Sequence, residues 1–220
     1  MCSKKKLYSK YIKLLLARQA DLRQGHSSGE GGYFVKRLFD IVLATVATIL
    51  LAVPILFVTV CVRLTSKGPA IYWSQRVGQH NRLFNMPKFR TMKTDTPAVA
   101  THLLPDPKAY LTPIGSFLRK SSLDELPQLW SIFNGDMSFV GPRPALYNQD
   151  DLIALRTQSE VHLLQPGLTG WAQVNGRDET PIPDKVKLDT DYMQRQSMWF
   201  DIYILWLTVL KVIRRDGVTH

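Results

Sequence analysis

The residues best equipped for chemistry lie in one stretch, Arg119-Lys120-Ser121-Ser122-Leu123-Asp124-Glu125-Leu126-Pro127-Gln128-Leu129-Trp130. Two adjacent carboxylates with basic residues just upstream can hold a hard divalent cation and present one oxygen as a nucleophile. The same letters also read as a helix start. Ser122 and Glu125 have the spacing of a capping box, and acidic residues are favoured in a first helical turn. On local grounds both readings stand open. Basic residues accompany the pair at Lys88, Arg90, Arg119, Arg143 and Arg177. Arginine matches phosphate oxygens with a planar fork, so several converging on one pocket would bind a diphosphate, whereas any one alone is a solvated surface charge. Arg143 stands in Gly141-Pro142-Arg143-Pro144, where a proline on each side restricts the backbone. A phosphate clamp needs such rigid placement, and a stiff turn after a core strand would use the same prolines.

A third constellation, Gln165 to Arg177, mixes three glycines, Trp171 and amide side chains, materials suited to close approach by a nucleobase or sugar. Glycine-rich turns also occur without ligands. There is no Walker-type loop, no G-x-G-x-x-G between strand and helix, and no metal spacing among the five histidines. Cys2 and Cys61 have neither redox nor metal-ligand spacing, and no disulfide framework is implied.

These residues need a scaffold, and 220 residues suffice for one catalytic unit with attachments. A net charge of +10 points to an anionic partner: nucleic acid, a phosphorylated small molecule or an acidic membrane surface. Residues 1–32 form a basic extension, read as a helix on anionic lipid or a disordered tail; its apolar run is too short for a signal peptide. Leu38 to Val62 is almost wholly apolar, interrupted by Asp40, three threonines and Pro54. It is long enough to cross a hydrocarbon core of about 30 Å, but basic residues flank both ends and Pro54 removes a backbone donor. A bent helix leaving on the side it entered and a straight crossing both fit.

Beyond it, short strands are expected at 71–73 and 88–92, and helices at 113–120, 126–134, 144–156 and 184–196, with a mobile loop over 94–109. Met198 to Ile213 is shorter than a normal span and carries Trp199, Tyr203 and Trp206, so it is expected to be an interfacial helix, with a buried core helix as the alternative.

The chain closely resembles the small monotopic phosphoglycosyl transferases, the bacterial sugar transferase family, and its PglC-like members in particular. The likeness runs over about residues 33–216 and is carried by Lys36-Arg37-Leu38-Phe39-Asp40, Lys88-Phe89-Arg90-Thr91-Met92, Ser121 to Gln128, Val140 to Pro144 and Pro166 to Trp171. It implies an α+β, mostly helical monotopic membrane protein: a re-entrant membrane helix at 33–67, a small mixed catalytic domain at 68–220, and amphipathic interfacial helices. Val53 stands where family members often have serine before the proline. The resemblance further implies magnesium held at Asp124 and Glu125, a UDP-sugar donor and a polyprenol phosphate acceptor at the cytoplasmic face of a bacterial inner membrane, with no nucleic acid. Asp124 would attack the sugar-bearing phosphorus and expel UMP, and the acceptor phosphate would then take the phosphosugar. Glu125 would bind the metal or assist the acceptor. Arg119 and Arg143 would hold phosphate, with Lys88, Arg90 and Arg177 behind them. PglC-like character suggests an N-acetylated sugar. The competing readings are a metal-dependent lipid diphosphate phosphatase and a non-catalytic basic membrane adaptor. The sugar, the pathway and the oligomeric state have no signature here.

Overall fold

The computed structural model describes residues 29–97, 106–176 and 180–214. All but the end of the basic N-terminal extension, the middle of the 94–109 loop and Arg177 lie outside the described residues. The chain divides into two compact units, Met1–Phe39 and Asp40–His220.

The described part of the first unit is the opening of helix α1, Gly29–Thr65, where Tyr33, Phe34 and Val35 are exposed. At about 1.5 Å per residue, α1 is roughly 55 Å long, and it continues through Pro54 without interruption. Within the second unit α1 buries a single stripe. Asp40, Ala44, Val58 and Val62 are buried at helical spacing, with Ala47 and Ile55 partly covered. Its other faces expose Ile49, Leu50, Val53, Leu56, Phe57 and Leu64. The Thr45 and Thr59 hydroxyls donate to the carbonyls of Ile41 (2.8 Å) and Ile55 (2.7 Å), so these polar groups are satisfied within the helix. Asp40, the one charge in the apolar run, is fully buried and its Oδ1 accepts the Phe139 N–H at 3.1 Å. It thereby ties α1 to the strand that leads into the Gly141–Pro144 loop.

That strand is β3, Ser138–Val140, which pairs in parallel with β5, Gly167–Thr169. A second sheet has the order β2-β1-β4, all antiparallel, from β1 (Ile71–Val77), β2 (Leu83–Phe89) and β4 (Ala145–Leu146). Pro87 fits in β2 because β2 is an edge strand. The second strand ends at Phe89 rather than Met92, which makes an isolated bridge to Leu111. Helices α2 (Gly115–Lys120), α3 (Leu129–Asn134), α4 (Asp150–Gln158), α5 (Trp171–Asn175), α6 (Ile182–Arg195) and α7 (Met198–Arg214) complete the domain. The helix expected from 144 begins only at Asp150. Ala145 and Leu146 pair instead with Val77 and Arg76, and the Leu146 N–H is held by Gln149 Oε1 at 2.9 Å.

Two cores attach α1 to this frame. Ala44, Leu43 and Ala47 pack with Met86, Ile132, Phe139 and Ile204. Ile55, Val58 and Val62 pack with Phe89 and Leu118. Full burial of each large side chain contributes about 1.5–3 kcal/mol. Helix α7 is two-faced: Phe200 and Ile204 are buried, while Trp199, Tyr203, Trp206, Val209 and Ile213 are exposed. The Tyr192 hydroxyl donates to Asp201 Oδ1 at 2.8 Å and has the Val140 carbonyl 3.2 Å away, which joins α6, α7 and β3.

Candidate active site

Leu123 and Leu126 pack into the second core, and this anchoring presents the intervening Asp124 and Glu125 beside β2. The segment Leu123–Gln128 is a 3₁₀ turn entered through Ser122 in the left-handed region, φ 56°. Ser122 makes no side-chain cap bond, and the Glu125 carboxylate turns to two cations elsewhere, so the capping-box reading does not hold. A non-glycine residue in left-handed backbone costs conformational energy, of the kind that clusters at functional sites.

The β1–β2 register sets Tyr72, Ser74 and Arg76 opposite Lys88, Met86 and Phe84. Directly opposed residues share a face and side chains alternate, so Lys88 and Arg76 project to the same side. Lys88 Nζ lies 2.8 Å from Glu125 Oε1. Arg143 Nη2 reaches the same oxygen, also at 2.8 Å, from the Gly141–Pro144 loop. Glu125 is thus the point where β2 and that loop meet. Burial raises its carboxyl, but the charges and hydrogen bonds of Arg143 and Lys88 win and hold it well below the usual carboxylate range.

Asp124 has the opposite environment. It is buried, and among the described residues no hydrogen bond is made to its carboxylate. Burial pushes its carboxyl up; Lys88 opposes the rise, Glu125 reinforces it, and Arg119 and Arg143 oppose it more weakly. Arg119 stands at the end of α2, its Nε donating to Thr91 Oγ1 at 3.0 Å. Burial pulls this guanidinium down, against the attraction of Asp124.

Of the expected basic residues, Lys88, Arg119 and Arg143 therefore gather around the two carboxylates. Arg90 does not join them: its Nε donates to the Pro69 carbonyl at 2.9 Å, in the segment before β1. Arg177 lies outside the described residues. The structure adds Arg76, pulled down to about 10 by burial and then by Arg143, with Glu125 and Tyr72 opposing. The alternation Tyr72, Ser74, Arg76 was the available signal. Glycines of the third constellation serve packing. A Cβ on Gly167 would lie 2.1 Å from the Gly141 nitrogen, and one on Gly170 would lie 2.1 Å from the Gly141 carbonyl oxygen. They let β5 close onto the root of the Arg143 loop. Trp171 packs against Phe200, ring centroids 5.0 Å apart, with the Arg195 guanidinium 5.3 Å from the Trp171 centroid.

Residues 31–215 match the bacterial sugar transferase family. The chain belongs to that family. Among its relatives, this sugar transferase is 42% identical over 186 residues to the uncharacterized sugar transferase EpsL of Bacillus subtilis, covering 84% of this chain and 90% of that protein. It is 38% identical over 210 residues to the undecaprenyl-phosphate galactose phosphotransferase of Salmonella typhimurium, covering 88% of this chain and 44% of that protein. It is 40% identical over 186 residues to the UDP-glucose:undecaprenyl-phosphate glucose-1-phosphate transferase of Escherichia coli, covering 80% and 40%. The chain therefore spans nearly all of the Bacillus relative and less than half the length of the other two.

Among the described residues no cluster of three or more His, Cys, Asp or Glu side chains is placed to hold a metal. The sugar transferase offers instead Asp124, whose carboxylate makes no hydrogen bond among the described residues, and the Glu125 oxygen not engaged by Lys88 and Arg143. One or two carboxylates, with substrate phosphates and water completing the shell, is a donor set that suits magnesium.

Proposed function

We propose that this sugar transferase moves a sugar-1-phosphate from a UDP-sugar to undecaprenyl phosphate, with Asp124 as nucleophile. The observation that carries the reading is the contrast within the carboxylate pair: Asp124 is buried and raised, with no hydrogen bond among the described residues, and Glu125 is locked between two cations. An Asp124 oxygen attacks the phosphorus that bears the sugar. The bond from that phosphorus to the UMP oxygen breaks, UMP leaves, and a phosphosugar remains on the carboxylate. The acceptor phosphate then attacks the same phosphorus and displaces Asp124, giving the lipid diphosphate sugar. Arg143, Lys88 and Arg119 offset charge on the phosphate oxygens, and Arg76 adds to the field. Asp124 with the spare Glu125 oxygen would hold magnesium, which when bound would supply Lewis-acid neutralisation of the diphosphate. Glu125 acts mainly as the anchor that keeps Lys88 and Arg143 convergent.

The membrane reading rests on exposed apolar surface. The outer faces of α1 and α7 present an extent of hydrophobic side chains that marks a lipid interface. Because α1 packs on the domain from Asp40 to Val62, an upright crossing would carry the domain's polar surface into the bilayer. We therefore read α1 as a re-entrant helix, flexing at Pro54, with the catalytic domain on the cytoplasmic face. The donor and the lipid phosphate then meet at the membrane surface.

No residue of the site identifies the sugar. The names of two relatives specify galactose and glucose, so UDP-galactose and UDP-glucose head the donor panel, followed by N-acetylated UDP-sugars. The test is UMP release with each donor and undecaprenyl phosphate. One donor should be turned over strongly, and Asp124→Asn should abolish that turnover. Inorganic phosphate as the product, or full activity in Asp124→Asn, would refute the reading.

A further inference from the structure

Arg156 and Asp189 lie outside every motif considered so far. They come from α4 and α6 and form a buried ion pair in which Arg156 is 9% exposed and Asp189 is 1% exposed. Two guanidinium nitrogens, Nε and Nη2, donate to Asp189 Oδ2 at 3.0 and 2.7 Å. The third, Nη1, donates to the backbone carbonyl of Arg143 at 2.7 Å.

That contact completes a pattern. Three consecutive carbonyls of the loop each accept a hydrogen bond from outside it: Pro142 from the Gly167 N–H at 2.9 Å, Arg143 from Arg156, and Pro144 from Arg76 Nη1 at 3.3 Å. Prolines flank Arg143 on both sides and limit the remaining torsions. The root of Arg143 is thus fixed while its side chain stays 45% exposed, resting on Glu125. We propose that Arg156, oriented by Asp189, is a positioning residue that holds the backbone of Arg143 so that its guanidinium can pass from Glu125 to a donor phosphate. This inference rests on the reading of Arg143 as a phosphate ligand.

Folding alone does not call for this pair. A buried ion pair is a poor source of net stability compared with apolar residues of the same volume. A guanidinium can face a carboxylate with one edge and a carbonyl with the other, which an ammonium on a lysine stem does not reproduce. Arg156→Lys therefore keeps the charge opposite Asp189 and gives up the hold on Arg143.

The test is a double-mutant cycle in the full-length, membrane-bound protein, read as donor KM and kcat for UMP release. Arg143→Ala is expected to raise donor KM about tenfold, and Arg156→Lys about fivefold with kcat within about twofold of the parent. The double variant should match Arg143→Ala alone, because the positioning has nothing left to position. If Arg156→Lys does not accumulate as folded protein, Asp189→Asn, which keeps the guanidinium but not its charged partner, goes through the same cycle with the same expected sign. Effects on KM that multiply in the double variant would overturn the positioning role and leave the phosphate reading of Arg143 standing. An unchanged KM in Arg143→Ala would overturn both.

Discussion

Burial raises the Asp124 carboxyl and leaves it without a hydrogen bond among the described residues, while Glu125, one peptide away, is held by Lys88 and Arg143 and stays ionised far below neutral pH. An attacking carboxylate must be ionised, so the acid limb of kcat/KM should report Asp124. Glu125 is one of the groups that push Asp124 up. Glu125→Gln removes that negative neighbour, so it should move the acid limb to lower pH. It should also cut kcat/KM by about 10- to 100-fold, because Lys88 and Arg143 lose their shared anchor. A pH–rate profile checks both, and a limb that rises or stays put contradicts the assignment. At this scale, residue types and the motif around Asp124 were legible in the sequence, and so was the candidacy of Lys88, Arg119 and Arg143. The separate environments of the two carboxylates were not, because they depend on where β2 and a distant loop place their cations. Arg76 and Arg156 were hidden for the same reason: each acts through a partner more than a dozen residues away.

Among the elements, the parallel pair β3–β5 decides where the Arg143 loop begins. Gly141 sits so close to the neighbouring chain that a Cβ there would lie 2.3 Å from the Gln165 carbonyl oxygen and 2.9 Å from the Gly167 nitrogen. Both are backbone atoms with little room to yield. Gly141→Ala should therefore destabilise the domain by about 2–3 kcal/mol. For a chain of this size that lowers the apparent melting temperature by roughly 4–12 °C. Donor KM should rise at temperatures where the variant remains folded, since the loop root moves. An unchanged melting temperature would show that the strands separate more easily than the packing implies. Long apolar stretches located α1 and α7, and hydrophobic periodicity located α6. Periodicity failed at residues 144–149, where apolar spacing imitated a helix and pairing of Ala145–Leu146 with β1 overrode it. The sequence left the role of Gly167 and Gly170 open, since a close backbone approach and a ligand cradle use the same residue; the structure shows the close approach.

For the whole molecule, the question is how a polar site would reach the lipid acceptor proposed for it. The exposed apolar faces of α1 and α7 belong to different ends of the sequence, and the tryptophans of α7 have the amphipathic character of interfacial anchors. The re-entrant reading places both ends of α1 on one side of the membrane. With Cys2 and Cys61 replaced by serine, single cysteines at Phe34 and Ser66 should be labelled by an impermeant maleimide from the cytoplasmic face only. Labelling of one from each side would mean a crossing. The length and polarity of α1 were legible from the sequence. Its path was not, because Pro54 is compatible with bent and straight helices alike and the burial of Asp40 depends on β3.

The covalent step proposed at Asp124 can be observed directly by intact-protein and peptide mass spectrometry. Incubated with its UDP-sugar and no acceptor, the protein should release UMP up to its own concentration. It should gain the mass of one sugar phosphate on the peptide containing Asp124, and lose it when undecaprenyl phosphate is added. UMP release that requires the acceptor, with no added mass at any time, would contradict the account.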